Sequence, residues 1–331
     1  MRRREFIKAI ASSTALFPFA ARAQQVEQPR QIGVLMNRAA ASPEGQARLA
    51  AFKQSLEQKG WIDGGNVRID VCWGADDFDP ERKCAIDLVA LSPSIIFASG
   101  TLSVSALQRV SRGTPIVFAN VTDPVGAGFI DSLARPGGNA TGFMIYEYSL
   151  SGKWLEMLKE AAPSVTRAAI IRNPDNPVGV ALFSALQAQA QSLRMEVIPV
   201  DSRRDASEIE ALIKSFAQSP NGGVILSPNA TTLPAGYELI IALAAQLKLP
   251  AVYPVRYMVA EGGLMSYAND SLEGSRRAAE YVDRILKGEK PANLPVQQET
   301  KIEFAINLKT ARALGLNVPQ SLIARADEVI E

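Results

Sequence analysis

The chain has 331 residues, a length that suggests about two domains and allows a large hydrophobic core. Its 35 basic and 34 acidic residues are interspersed and leave a net charge of +1, so no basic surface favours nucleic-acid binding. Histidine is absent, which removes the commonest general base and the commonest metal ligand.

Residues 1–23 have the pattern of a removable secretory signal. A basic start is followed by an apolar stretch at 9–21 and by Ala21-Arg22-Ala23, after which we expect cleavage. Arg3-Arg4 followed by Phe6 favours the twin-arginine type, and an ordinary signal with an extra arginine is the alternative. The stretch is too short for a membrane anchor and contains Pro18. We therefore expect a periplasmic protein whose mature chain does not insert into the membrane.

From residue 31 the pattern alternates between apolar strands and amphipathic helices. Helix 43–59 is marked by an N-cap at Ser42, by Pro43 in its first turn and by Gly60 after its end. The predicted strands of this first series are 31–36, 67–73, 94–98 and 115–119, and its later helices are 80–91 and 102–110. Helices between strands predict a parallel sheet with right-handed crossovers.

A second series follows a segment at 123–142 that is rich in Gly and Pro and has no helical period. Its predicted strands are 168–172, 196–200, 223–226 and 251–253, and its helices are 151–161, 179–193, 206–217 and 235–247. The whole chain is therefore predicted to be an α/β protein of two Rossmann-like lobes with parallel sheets.

The remaining elements are too few for a third domain. They are a strand at 263–267, a helix at 271–286, a linker at 291–295, a strand at 301–306 and a helix at 308–314. We expect the chain to return to the first lobe and then to the second, which makes a three-crossing hinge with the ligand between the lobes. The predicted lobes are 30–144 plus 263–290 and 145–262 plus 291–331.

Ligands of such sheets bind beyond the carboxyl ends of the strands. The candidate binding residues are accordingly the polar side chains that follow predicted strands. They are Asn37, Ser99, Thr101, Asn120, Thr122, Asp123, Asn173, Asn176, Ser227, Asn229, Tyr253, Tyr267 and Asp270.

Several candidates have a structural alternative. Ser99 and Thr101 start a helix, where they either hold an anion such as a carboxylate or serve as caps. Asp123 and Asp270 either bind an ammonium group or stabilise a turn and a helix start. Tyr253 and Tyr267 either stack on the ligand or close the ends of the sheet.

Two arginines near the predicted cleft, Arg38 and Arg256, either bridge the lobes or contact the ligand. We expect Cys72 and Cys84 to be two small buried apolar side chains. A disulfide is the alternative if their strand and helix lie adjacent in an oxidising compartment. No metal site is expected, because histidine is absent and the two cysteines do not form a ligand cluster of the zinc type. No cofactor motif or catalytic arrangement is expected either, because no Gly-x-Ser-x-Gly elbow, Walker loop or G-x-G-x-x-G occurs.

Long runs of the sequence carry a family resemblance. Besides the signal and IGVL at 32–35, they are DPVGAGF at 123–129, LARPGGNATG at 133–142, GGLMSY at 262–267, RRAA at 276–279, LKG at 286–288, INLKTA at 306–311 and ARADEVI at 324–330. With these runs the chain resembles a family of ABC transporter substrate-binding proteins that includes tryptophan- and tyrosine-binding importers and has the type I periplasmic-binding-protein fold. The chain departs from the usual family form at Ala268, where glycine commonly follows the tyrosine.

The resemblance implies a receptor that closes on a small molecule and delivers it to an ABC permease and its ATPase. It also implies that Ser99 and Thr101 hold a ligand carboxylate, and that Asp123 or Asp270 meets an amine. The ligand that the resemblance favours is an amino acid, with an aromatic one as the leading candidate. The alternatives are a sensory receptor without transport and a secreted enzyme that uses carboxylates.

Overall fold

A computed structural model of the chain describes residues 29–75, 77–145, 151–174, 177–230 and 236–331. The expected signal at 1–23 and the candidate Asn176 lie outside the described residues, as does the side chain of Asn229.

The first lobe is built on six strands of the described chain. They are β1 (Arg30–Met36), β2 (Val67–Trp73), β3 (Ile95–Ser99), β4 (Ile116–Val121), β5 (Ala140–Met144) and β11 (Gln297–Gln298). They lie in the order β2-β1-β3-β4-β5-β11, and every pair is parallel. The carboxyl ends of all six strands therefore meet at one edge of the sheet.

Helices cover both faces of this sheet. They are α1 (Pro43–Gln58), α2 (Phe78–Ala90), α3 (Thr101–Val110) and α9 (Ser271–Leu286). Side chains alternate along β1, so Ile32 and Val34 pack in a core with α1 and α9, whereas Leu35 packs in a core with α2 and α3. Burial on both faces explains the continuous apolar run of this strand.

The second lobe is built on seven strands of the described chain. They are β6 (Arg167–Arg172), β7 (Glu196–Asp201), β8 (Gly222–Leu226), β9 (Ala251–Tyr253), β10 (Met265–Asn269), β12 (Ile302–Asn307) and β13 (Glu328–Ile330). Their order is β7-β6-β8-β9-β10-β12-β13. The pairing of β10 with β12 is antiparallel and the other pairings are parallel.

The helices of the second lobe also lie on two faces. They are α4 (Ser151–Ala161), α5 (Pro177–Ser192), α6 (Ala206–Ala217), α7 (Tyr237–Gln246), α8 (Arg256–Ala260), α10 (Leu308–Leu314) and α11 (Gln320–Ile323). Residues of α4 and α5 pack in one core with Ile170 of β6, and residues of α6, α7 and α8 pack in the other with Ile171.

The described chain passes between the lobes three times, as the hinge interpretation predicts, but the second and third passages lie later than expected. The first lies between β5 and α4, the second between β10 and α9, and the third between β11 and β12. Residues 263–269 therefore belong to the second lobe, because β10 pairs with β9 and β12. Residues 291–298 belong to the first, because β11 pairs with β5.

Strand β5 lies in a segment for which the sequence pattern predicted no element. Gly142 at its centre has φ 153°, and a Cβ on it would lie 2.0 Å from the carbonyl oxygen of Phe118. This close approach of two backbones requires glycine. Gly142 therefore permits the pairing of β5 with β4, although it also weakens the strand pattern in the sequence.

Cys72 of β2 and Cys84 of α2 form a disulfide, with their Cα atoms 5.6 Å apart. The expectation of two free buried side chains is therefore wrong. The reason is that α2 packs directly on β1 and β2, which brings the strand and the helix together.

Candidate functional site

Three polar side chains lie side by side at the carboxyl edge of the first sheet. Asn37 directly follows β1, Ser99 ends β3 and Asn120 is near the end of β4. Their residues are 8%, 0% and 6% exposed. Asn37 Oδ1, Ser99 Oγ and both polar atoms of the Asn120 side chain are buried without a hydrogen-bond partner. Buried polar groups are normally hydrogen-bonded. These four atoms can therefore form hydrogen bonds with donors and acceptors of a bound molecule.

The backbone at this edge takes conformations that bring the three side chains close. Gly100 has φ 99°, and a Cβ on it would lie 2.5 Å from Asn37 Nδ2, so only glycine leaves room for the Asn37 amide. Asn120 has φ 58°, a left-handed conformation that asparagine tolerates better than most residues. Left-handed residues outside glycine cluster at binding and active sites.

The first turn of α3 is not capped by a side chain. Its N-cap residue is Gly100, which offers none, and the Thr101 hydroxyl accepts a hydrogen bond from the N–H of Thr122 at 3.2 Å instead. Thr101 and Thr122 thus hold two neighbouring loops together. The N–H groups at the start of α3 remain a suitable place for a carboxylate.

The two acidic candidates are engaged with groups of the chain. Asp123 accepts a hydrogen bond from the N–H of Gly126 at 2.9 Å and stabilises its own turn. Asp270 caps α9 through the N–H of Leu272 and forms an ion pair of 2.9 Å with Lys301. Burial raises the pKa of Asp270, but the hydrogen bonds from Lys301 and Leu272 outweigh it, so the pKa lies below its usual value. Asp123 therefore stabilises a turn and Asp270 a helix start, which was the structural alternative to ammonium binding.

The two tyrosine candidates lie in different surroundings. Tyr253 is 1% exposed and packs in the α6–α8 core against Met258, and burial raises the pKa of its hydroxyl. The ring of Tyr267 packs edge-on to Phe304 with centroids 6.4 Å apart, and its carbonyl accepts a hydrogen bond from the Trp154 indole. Tyr253 therefore serves the core, whereas Tyr267 lies beside the crossing between β10 and α9.

Each of the two arginines considered as bridges between the lobes forms an ion pair with a glutamate of its own lobe. Arg38 pairs with Glu44 at 3.1 Å, and Glu44 also pairs with Arg48. Burial raises the pKa of Glu44, but Arg48 and Arg38 outweigh it and hold the pKa below its usual value. Arg256 pairs with Glu328 of β13.

At the edge of the second sheet, Asn173 follows β6 and the fully buried Ser227 follows β8. Sequence reasoning missed a third group there, Arg172, the last residue of β6. Its guanidinium carbon lies 4.9 Å from the centroid of the Phe183 ring, while Nε and Nη1 are buried without a hydrogen-bond partner. An arginine at the end of an apolar strand is a signal that strand-end reasoning could have used.

A second missed residue, Glu299, directly follows β11 at the edge of the first sheet. It is 1% exposed, and no described side chain donates a hydrogen bond to either carboxyl oxygen. Burial raises its pKa to about 8, although Arg48, a hydrogen bond from the backbone N–H of Asn120 and Arg277 oppose the rise. No sequence signal distinguished Glu299, because it lies in the polar run Gln297–Lys301, which is typical of a solvated loop.

Residues of both lobes line a cavity of about 360 Å³ beside the crossings. The first lobe contributes Pro43, Glu44 and Ala47 at the start of α1, and the second contributes Val255, Arg256 and Tyr257. Ala268 and Asn269 at the end of β10 also line it, as do Asp270 and Lys301 in the crossings, among others. This cavity lies between the lobes, so a rotation about the hinge would change its size.

Comparison with known families decides the class of protein. The model of a family described as ABC transporter substrate binding protein matches residues 41–330. The chain belongs to this family. The substrate-binding protein is 27% identical over 265 residues to the tyrosine-binding protein of Clostridioides difficile (strain R20291), covering 80% of this chain and 75% of the relative. Membership in a family of binding proteins points to binding and not to catalysis.

Solved structures give the same fold. A conserved domain protein from Vibrio cholerae matches with a TM-score of 0.83 and 25% identity, over 91% of this substrate-binding protein and all of that chain. An ABC domain from Streptococcus pneumoniae in complex with L-Trp matches with a TM-score of 0.82 and 23% identity over the same shares. The predicted type I periplasmic-binding-protein architecture is confirmed. Among the described helices, none is long and apolar enough to cross a membrane.

Proposed function

We propose that this substrate-binding protein is the extracytoplasmic receptor of an ABC importer and that it binds an aromatic amino acid between its lobes. The observation that carries the proposal is the row of buried polar groups without partners at the edge of the first sheet, formed by Asn37, Ser99 and Asn120. Leaving a buried polar group unpaired costs about 1–3 kcal/mol, so a row of them is retained where a ligand satisfies them.

The choice of an amino acid rests on the relatives and on the chemistry of this edge. One relative is a tyrosine-binding protein, and one structural neighbour holds L-Trp. Ser99 and the uncapped start of α3 provide hydroxyl and N–H groups for a carboxylate. Asn120 offers both a donor and an acceptor, which suits a zwitterion.

Closure of the two lobes is the proposed mechanism. The ligand contacts both lobes only in the closed state and therefore shifts the population toward it. The three crossings allow the lobes to rotate as rigid bodies, since each lobe has its own cores. An ABC permease with its ATPase recognises the closed form and receives the ligand.

The proposed location of the mature protein is the periplasm. A basic start with Arg3-Arg4 and the small-residue site Ala21-Arg22-Ala23 support export to the periplasm, with the twin-arginine pathway as the proposed route.

A thermal-shift panel tests the proposed ligand class on the chain from Gln24 onward. The panel contains aromatic amino acids, other amino acids, sugars and polyols. A ligand at 100 times its dissociation constant adds about 2.7 kcal/mol to the free energy of unfolding, so we expect the melting temperature to rise by several degrees with L-tyrosine or L-tryptophan. A rise with sugars or polyols alone would overturn the amino-acid assignment.

A further inference from the structure

Glu299 lies where all three crossings meet. Its N–H donates to the carbonyl of Met144, the last residue of β5, at 2.9 Å. Its own carbonyl accepts a hydrogen bond from the side chain of Asn269, the last residue of β10, at 2.7 Å. Two hydrogen bonds thus fix the backbone of the third crossing to residues that precede the other two.

The carboxyl group of Glu299 is held close to α9. A Cβ on Gly274 would lie 1.9 Å from Oε1, so glycine in the first turns of α9 leaves the space that the carboxyl occupies. The charged groups that act on it are Arg48 from α1, Arg277 from α9 and Asp270 at the start of α9. No described side chain donates a hydrogen bond to either carboxyl oxygen. The backbone N–H of Asn120 is close enough to lower the pKa of the carboxyl, so Glu299 also adjoins the row of Asn37, Ser99 and Asn120.

The other acidic residues of this region are already used. Asp123 stabilises its turn, and Asp270 is paired with Lys301 and with Arg276. Glu299 shares the carboxyl edge of the first sheet with Asn37, Ser99 and Asn120, each of which has at least one buried side-chain polar atom without a partner. Since these three side chains are neutral, the Glu299 carboxyl is the group of this set that can attract a cationic part of a ligand.

We infer that the Glu299 carboxylate receives the ammonium group of the ligand and thereby selects amino acids over analogues that lack the amine. The inference rests on the proposed function, because it assigns a role within the same cleft. It assigns ammonium binding to Glu299 instead of Asp123 or Asp270. Because Glu299 lies at the hinge, one side chain then links ligand binding to the relative position of the two lobes.

In this proposal, ligand binding releases the proton of the Glu299 carboxyl. With its pKa raised to about 8, the Glu299 carboxyl holds a proton at neutral pH in the ligand-free protein. An ammonium group pairs with the carboxylate form, so the O–H bond of the carboxyl breaks and its proton passes to the buffer. We expect nearly one proton to be released for each ammonium ligand bound at pH 7.

The test is calorimetric titration of L-tyrosine and of 3-(4-hydroxyphenyl)propionate, which lacks the amine. Titrations at pH 7 in phosphate and in Tris, whose ionisation enthalpies differ, give the number of protons released. The proteins are wild type, Glu299→Gln and the matched control Glu81→Gln. Glu81 is equally buried, at 1%, but lies on α2 and accepts a hydrogen bond from Ser103.

We expect wild type and Glu81→Gln to prefer L-tyrosine and to release about one proton. Loss of a hydrogen-bonded charge pair costs roughly tenfold or more in affinity, so Glu299→Gln should lose most of this preference and release no proton. The proton release of the wild type needs no variant, so the test stands even if Glu299→Gln folds poorly.

Two results would overturn different claims. If Glu299→Gln binds L-tyrosine with wild-type affinity and proton release, the role of Glu299 is wrong and the proposed function stands. If the wild type binds neither L-tyrosine nor its analogue nor L-tryptophan, the proposed function fails, and the role of Glu299 fails with it.

Discussion

Single residues at the edge of the first sheet carry a cost to stability that a bound ligand would offset. Ser99 and Asn120 bury polar atoms without partners, and Asn120 also has a left-handed backbone. Each unpaired buried group costs about 1–3 kcal/mol, and a left-handed residue that is not glycine adds to that cost. In the proposed function, the groups that lower the stability of the ligand-free protein are the ones that bind the ligand.

Replacing Asn120 by glycine separates these two costs. Glycine keeps the left-handed backbone without strain and removes only the amide. We expect Asn120→Gly to weaken ligand binding roughly tenfold or more, with no loss of melting temperature. The matched control is Asn221→Gly, since Asn221 is an exposed residue with φ 62° in the turn before β8. Equal ligand affinity in the two variants would contradict the assignment of Asn120 to the site.

The Glu299 carboxyl gives stability a defined pH dependence. Its pKa rises from 4.5 to about 8 on folding, so between these values the folded state holds a proton that the unfolded state lacks. The free energy of unfolding therefore falls as pH rises through this window, by at most about 1.4 kcal/mol per unit. The chain has no histidine to obscure the effect.

Urea unfolding of the ligand-free protein between pH 5 and pH 8 measures this slope. We expect the slope to be clearly smaller in Glu299→Gln, whose side chain stays neutral, than in the wild type. The same slope in both proteins would show that Glu299 does not titrate in this range.

At the level of elements, the sequence predicted what depends on local patterns. Helix α1 begins at Pro43 after Ser42, whose hydroxyl accepts a hydrogen bond from the N–H of Gly45, and Gly60 follows its end with φ 88°. Strands β5 and β11 were missed because one is interrupted by Gly142 and the other has only two residues. Their pairing depends on neighbours far along the chain, which periodicity does not reveal.

The candidate site was likewise predictable only where it depends on local sequence patterns. Strand ends located Asn37, Ser99 and Asn120, since polar residues directly after or at the end of buried strands are visible in the sequence. Glu299 was not predictable, because its burial depends on α9 and on three crossings that meet only in the folded chain.

The disulfide between β2 and α2 should stabilise the first lobe without affecting binding. The two cysteines are 12 residues apart, and closing a loop of this size contributes about 2–3 kcal/mol. We expect Cys72→Ala/Cys84→Ala to lose about this much in urea unfolding and to keep its ligand affinity, since β2 is the edge strand opposite β11. Reduced wild-type protein serves as the control and should show a similar loss. Unchanged stability in both would rule out a structural role for the bond.

At the scale of the whole molecule, neither lobe is a continuous segment. The chain adds α9 and β11 to the first lobe after completing most of the second, and then adds β12 and β13 to the second. The number of crossings could be predicted from the surplus elements. Their positions could not, because β10 and α9 each suit either lobe by pattern alone, and only their packing partners decide.

The most direct test of binding between the lobes is a crystal structure of the chain from Gln24, grown with saturating L-tyrosine. We expect one ligand per chain, contacting residues of both lobes, with Asn120 and Glu299 on the side of the first sheet. A ligand held by one lobe alone, or an empty cleft at saturating L-tyrosine, would contradict the receptor mechanism proposed for this chain.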